Sequence, residues 1–196
     1  YRLGYQAGEI LRVMHGLAAP MQTEPWAKRF NRKIDRNIQW HEEGPAKIAG
    51  AQHMLRFIEE NRCLLETRQQ QTLQHGDYHI GNMVFDGAGG LGIIDFNRCD
   101  YGDPWEEFNR IVWCAESSPL FASGRINGYF CGCVPEEFFR LLALYMAVNQ
   151  LAALAWAAAF GPEEVKSMLE QAQQVLEWFH GFREHVPSWY VPDFQA

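Results

Sequence analysis

Lysine is scarce in this chain of 196 residues: Lys28, Lys33, Lys47 and Lys166 are the only four, and 17 basic residues face 24 acidic ones, for a formal net charge of −7. A surface of that sign repels nucleic-acid phosphates, which argues against a nucleic-acid partner and suits a cationic small molecule. Cysteine is sparse and odd in number (Cys63, Cys99, Cys114, Cys131 and Cys133), with no pair of Cys-x-x-Cys motifs to hold zinc. The setting expected is reducing and cytoplasmic, with Cys131-Gly132-Cys133 read as a helix end. The first seventy residues hold no glycine cluster, and the chain shows no internal repeat, low-complexity stretch or signal peptide. It opens at Tyr1-Arg2 without an initiator Met, so a preceding segment is expected. One long apolar run exists, Leu141 to Phe160, but Asn149 and Gln150 fall inside it and Arg140 abuts it. A helix buried centrally in a helical domain is the reading, not a membrane span. With 47% hydrophobic residues the chain can fill the core of a single domain.

Against these absences stands one dense stretch. Leu73-Gln74-His75-Gly76-Asp77-Tyr78-His79-Ile80-Gly81-Asn82 is followed, after a short gap, by Gly92-Ile93-Ile94-Asp95-Phe96. The order is His-x-Asp, an Asn five positions after that Asp, then a second Asp closing an apolar run. Phosphoryl transfer of the kinase type uses this set: one carboxylate receives the proton of an attacking hydroxyl, while the Asn and second carboxylate hold Mg²⁺ against nucleotide phosphates. Val84 and Phe85, a turn at Gly87 to Gly90, then Leu91, Ile93 and Ile94 read as a hairpin. Closing it brings Asn82 and Asp95 to one end and leaves Asp77 in the preceding loop, where a base should face a bound hydroxyl. Individually, an Asp in a Gly-flanked loop is a turn former and an Asn before a strand is a cap; it is the ordered set that carries the reading. A two-metal phosphoesterase also uses Gly-Asp and Gly-Asn pairs, but Met83 follows Asn82 where that site needs His, and the two pairs lie too close together.

The stretch from His75 to Phe96 resembles the aminoglycoside phosphotransferase and choline kinase group, small-molecule kinases of protein-kinase-like fold. Their His-Gly-Asp-x-His-x-x-Asn loop is matched at His75, Gly76, Asp77, His79 and Asn82, and their Ile-Asp-Phe at Ile94, Asp95 and Phe96. Gly102-Asp103-Pro104 extends the likeness to about Phe108; Asn109 departs from it, since related sequences often carry Asp there. The resemblance implies an α+β, mostly helical fold, the C-terminal lobe of a kinase with a small β-hairpin at its site. It further implies Asp77 as base, Asn82 and Asp95 as metal ligands, and His75 and His79 as braces of the loop, with ATP and Mg²⁺ as co-substrate and cofactor. The glycine-rich phosphate loop and the strand Lys of such kinases are missing, so the nucleotide-gripping N-lobe is expected outside residues 1–196 and the isolated chain is expected to turn over little or not at all. The acceptor expected is small and amino-bearing, met by Asp100, Asp103, Glu106, Glu107 and Trp105, with Trp113 a further aromatic for a cation. A non-catalytic kinase-like binding module is the alternative.

The remaining elements read as helices. Leu3, Ala7, Ile10, Leu11, Met14 and Leu17 recur at helical spacing; Trp26, Phe30, Ile34 and Ile38 define a second helix with a solvated basic face; Ile48, Met54, Leu55, Ile58 and Leu65 suggest a third, to about Glu66. Thr72 and Leu73 lead as a strand into the loop. Asp103 as N-cap, Pro104 at the first position and Glu106 three past the cap predict a helix with Trp105, Phe108, Val112 and Ala115 inward and Glu106, Glu107, Arg110 and Glu116 facing out or toward a cleft. Leu120 to Phe130, a helix opened by Pro135, and a last one carrying Val165 to Phe179 complete the chain. The tail Pro187 to Ala196, with Trp189, Tyr190 and Phe194, is expected to pack on the surface.

Overall fold

The computed structural model describes residues 1–192. In chain order its elements are α1 (Arg2–Met14), α2 (Trp26–Glu43), α3 (Ala51–Asn61), β1 (Thr72–Gln74), β2 (Met83–Phe85), β3 (Leu91–Ile93), β4 (Asp100–Gly102), α4 (Ile111–Ser117), α5 (Pro119–Tyr129), α6 (Glu136–Ala157) and α7 (Pro162–Trp178). Helices dominate, and the strands form two antiparallel pairs, β1 with β4 and β2 with β3. This is the mostly helical α+β arrangement expected of the lobe. Two compact units are distinguished: one holds Tyr1–Thr23, Gln70–Phe138 and the tail from Trp189, the other Glu24–Gln69 and Phe139–Ser188.

In the first unit, α1 and α5 meet through glycine. A Cβ on Gly4 would lie 2.0 Å from the Phe121 carbonyl oxygen, one on Gly8 2.2 Å from that of Arg125, and one on Gly128 2.0 Å from that of Tyr5. The two backbones touch, which only Gly permits. The buried stripe of α1 is therefore Gly4, Ala7, Gly8 and Leu11, while Leu17, expected inside, is exposed. Past α1 the chain runs along β1: Leu73 N–H donates to Leu17 O (2.8 Å) and Ala19 N–H to Gln71 O (2.9 Å). The described part of the tail is clipped to α5, where Asn127 Nδ2 donates to Val191 O (3.0 Å) and Tyr190 hydroxyl to Asn127 Oδ1 (2.6 Å). Trp189 is buried; Phe194 lies outside the described residues.

The second unit is built on α2, α3, α6 and α7. Trp26 and Phe30 pack on Tyr145, whose hydroxyl accepts from Trp26 Nε1 (3.1 Å). The expected step of four along α2 drifts: Asn37 and His41 take the buried positions and Ile38 is half-buried, because a turn holds 3.6 residues. Asn37 Nδ2 meets its burial by donating to Val148 O (3.1 Å). The third helix stops at Asn61, five residues early; the Asn61 side chain bonds the Phe57 carbonyl (2.8 Å) and a 3-10 turn, Arg62–Thr67, follows. Among the described residues α6 alone is long and apolar enough to cross a membrane, and 72% of its apolar window is buried. Leu141 through Val148 are all buried, as a central helix requires.

Candidate active site

The loop from His75 to Asn82 leaves β1 and enters β2, and its conformation is dictated by buried polar anchors. Gly76 has φ +80°, and a Cβ there would meet the Arg98 carbonyl oxygen at 2.1 Å, so no other residue fits. His75 is fully buried. Its Nδ1 accepts from Asp77 N–H (3.2 Å) and its Nε2–H donates to Ile94 O (2.9 Å). One imidazole thus ties the loop to the residue before Asp95. His79 accepts from Gly81 N–H through Nδ1 (3.0 Å), and burial, opposed by the neighbouring Asp77 charge, holds its pKa below the usual imidazole value.

The hairpin pairs Met83 with Ile93, Val84 with Gly92 and Phe85 with Leu91. Ile94 N–H continues the ladder to Asn82 O (3.0 Å), so Asn82 and Asp95 emerge at the same end. Asn82 Nδ2 donates to the Asp77 carbonyl (2.9 Å) and stands 3.5 Å from Asp77 Oδ2. Asp95 is exposed and left-handed, with φ +64°, a conformation a β-carbon disfavours and functional sites often retain. Its Oδ1 accepts from Asn97 Nδ2 (2.7 Å). The oxygens this mouth offers, Asn82 Oδ1 and the Asp95 carboxylate, suit a hard cation such as Mg²⁺. Among the described residues no three His, Cys, Asp or Glu side chains converge, so such an ion would draw its other ligands from phosphates and water.

Beneath the loop lie side chains expected to face out or toward a cleft. Glu107 is 2% exposed and accepts the backbone N–H groups of both His75, through a short bond, and Gly76 (2.9 Å). Glu106 and Asp103 are buried too; Gln74 Nε2 donates to Glu106 Oε2 (3.2 Å) and to the Asp103 carbonyl (2.8 Å). Asp103 Oδ1 accepts from Trp105 N–H (3.3 Å), but the segment it caps is a 3-10 turn, Glu106–Arg110, before α4. The tighter winding accompanies the inward turn of both glutamates. Trp105 packs against Phe130 and Phe138, and Asp100, on β4, is exposed.

Two participants carried no motif. Arg125, fully buried on α5, donates from Nη1 to Tyr78 O (2.7 Å) and from Nη2 to Glu107 O (3.1 Å), its guanidinium between the rings of Tyr78 and Phe108 at 4.7 Å from each. A single cation inside the apolar run 120–130 was the available signal. Tyr78 is buried, donates its hydroxyl to Ala7 O (2.6 Å), and burial drives its phenol well above the usual pKa. Arg110 is the second: Nε lies 3.6 Å from Asp77 Oδ1 and the guanidinium 5.3 Å from the Trp113 ring centre.

Comparison with known proteins gives three findings. Residues 1–145 match the model of the phosphotransferase enzyme family (APH). Over 158 residues the chain is 24% identical to acyl-CoA dehydrogenase family member 10 of Mus musculus, covering 77% of this chain and 14% of that protein. The crystal structure of a choline/ethanolamine kinase family protein from Mesorhizobium loti superposes with a TM-score of 0.68 at 20% identity, over 93% of this chain and 64% of that one. The chain thus spans under two thirds of each.

Proposed function

This chain belongs to the phosphotransferase enzyme family, the aminoglycoside phosphotransferase and choline kinase group, and from that premise we propose that the protein transfers the γ-phosphoryl group of ATP to a hydroxyl of a small molecule. The observation carrying the reading is the meeting of Asp77, Asn82 and Asp95 at the hairpin mouth, with Asn82 Nδ2 on the Asp77 carbonyl (2.9 Å) and Asp95 next to the residue paired with Asn82. In the reaction the acceptor oxygen attacks the γ-phosphorus, the bond to the bridging oxygen breaks, ADP leaves with the electron pair, and the hydroxyl proton passes to the Asp77 carboxylate. Asn82 and Asp95 would hold Mg²⁺, which when bound neutralises charge on the phosphates. His75 fixes the separation of Asp77 from Asp95 through its two ring bonds, and Glu107 fixes the loop's entry.

Replacing Asp77 by Asn in the natural gene product is expected to lower kcat by about 10²–10⁴, the usual size of a general-base contribution. A loss below about threefold would assign Asp77 another role. Asp95→Ala is expected to abolish the Mg²⁺ dependence of nucleotide binding, read by titration calorimetry with and without the metal. Residues 1–196 carry no glycine-rich phosphate cover and no strand Lys, so the chain on its own is proposed to be a poor catalyst. A cytoplasmic location, where ATP is available and the exposed thiols stay reduced, accords with this chemistry.

A further inference from the structure

We propose that Arg110, backed by Trp113 and His79, is the specificity residue of this site and binds an anionic group, a carboxylate or a phosphate, carried by the acceptor alcohol; the inference rests on the phosphotransferase reading above. The guanidinium ends the 3-10 turn Glu106–Arg110 and stands beside the proposed base, Nε at 3.6 Å from Asp77 Oδ1. Its side chain is 24% exposed. Among the described residues its Nη1 and Nη2 make no hydrogen bond. Guanidinium groups carry five N–H donors in a planar fork matched to carboxylate and phosphate oxygens, so the two terminal nitrogens are donors that a ligand can take over from water.

The surroundings set the sign of that ligand. Of the four carboxylates expected to receive an ammonium group, three are buried and committed elsewhere, Glu107 to the N–H groups of His75 and Gly76, Glu106 to Gln74 and Asp103 to Trp105 N–H. The fourth, Asp100, is exposed on β4, where its Oδ1 accepts from Tyr101 N–H (2.7 Å). The Trp113 ring is occupied by Arg110 at 5.3 Å and by His79 at 5.5 Å, so it is not open to stack on a cation. With Nδ1 of His79 accepting from Gly81, Nε2 faces the site as a donor, 3.7 Å from Asp77 Oδ1. Beside Asp77, then, the groups on offer are N–H donors, and Asp77 itself is taken by the reacting hydroxyl. The acceptor places its hydroxyl on Asp77 and its anionic oxygens on Arg110. An amino-bearing alcohol without an anionic group would meet a positive charge there.

The test uses the natural gene product with Mg–ATP and matched acceptor pairs: hydroxy acids against their carboxamides, phosphorylated alcohols against their neutral parents, and amino alcohols as the cationic arm. The two anionic arms separate carboxylate from phosphate recognition, and Arg110-dependent turnover in either supports the proposal. The expected result is a higher kcat/KM for the anionic member, with Arg110→Gln raising its KM about ten- to hundredfold, kcat within about threefold, and the preference within the pair erased. Arg110→Lys, which keeps charge without the fork, is expected to fall between. Equal or better turnover of neutral or cationic acceptors overturns the proposal, as does an Arg110→Gln loss in kcat common to all acceptors, which would make the guanidinium a stabiliser of the transferred phosphoryl group. Phosphorylation of no acceptor in any arm would instead remove the phosphotransferase reading on which it rests.

Discussion

Glu107 shows how one side chain can govern a loop it never enters. Its carboxylate is the acceptor for two consecutive N–H groups, those of His75 and Gly76, and a buried carboxylate accepting backbone donors is a strong anchor. Glu107→Gln replaces one acceptor oxygen by an NH₂ that faces an N–H, so a loss of about 1–3 kcal/mol in stability is expected, measured by urea unfolding, together with a fall in kcat because Asp77 lies one residue beyond. His41 offers a test in pH. Burial pushes its pKa below the ordinary imidazole value, and Nε2 accepts from Ile48 N–H (3.3 Å). The unfolded chain therefore binds the proton first: stability is full above about pH 6.5 and falls as the pH drops below that toward the lower folded value. Unfolding midpoints at pH 7.5 and 5.5 should differ in that direction, and His41→Gln should reduce the difference.

Among the elements, the α1–α5 crossing carries the largest steric constraint. Ala in an ordinary helix is favoured over Gly by about 1 kcal/mol. At Gly128 the added carbon would stand 2.0 Å from the Tyr5 carbonyl oxygen, and backbone cannot rotate away as a side chain can. Overpacking of this kind costs about 1–3 kcal/mol, so Gly128→Ala is expected to destabilise, whereas a Gly→Ala change on an exposed helix face would not. A midpoint in urea that rises for Gly128→Ala would contradict the contact. The spacing Gly4-x-x-x-Gly8 and Gly124-x-x-x-Gly128 is visible in the chain, but small residues add nothing to an apolar periodicity, so the Leu and Ile positions of α1 drew the prediction instead. The hairpin was legible for the opposite reason: two short apolar runs, the glycine turn between them and two flanking polar residues all agree locally, and Val84 and Phe85 pair with Gly92 and Leu91 across that turn.

At the scale of the whole molecule, the chain divides into two compact units, and the loop, the hairpin, Arg110 and Arg125 belong to the first. Titrated alone with Mg–ATP, the 196-residue chain is expected to bind more weakly than the roughly 1 mM upper end of ordinary enzyme KM values; saturable binding well below that, or sustained phosphorylation of an alcohol, would show that the phosphates are gripped by residues other than a glycine-rich loop. The amino-acid order by itself determined the helical α+β class, the family and the loop and hairpin that bring Asn82 and Asp95 to one end, because each depends on residues near in sequence whose backbone preferences agree. Only the tertiary structure decided where the charges of residues 103–110 point. Glu106 and Glu107, expected to face out or toward a cleft, are buried and hold Gln74 and the catalytic loop, Asp103, expected as a cap and an acceptor contact, is buried with them, and Arg110 is left beside Asp77; burial depends on partners such as Gln74, His75 and Arg125 that lie 18 to 32 positions away along the chain, and no local pattern encodes those distances.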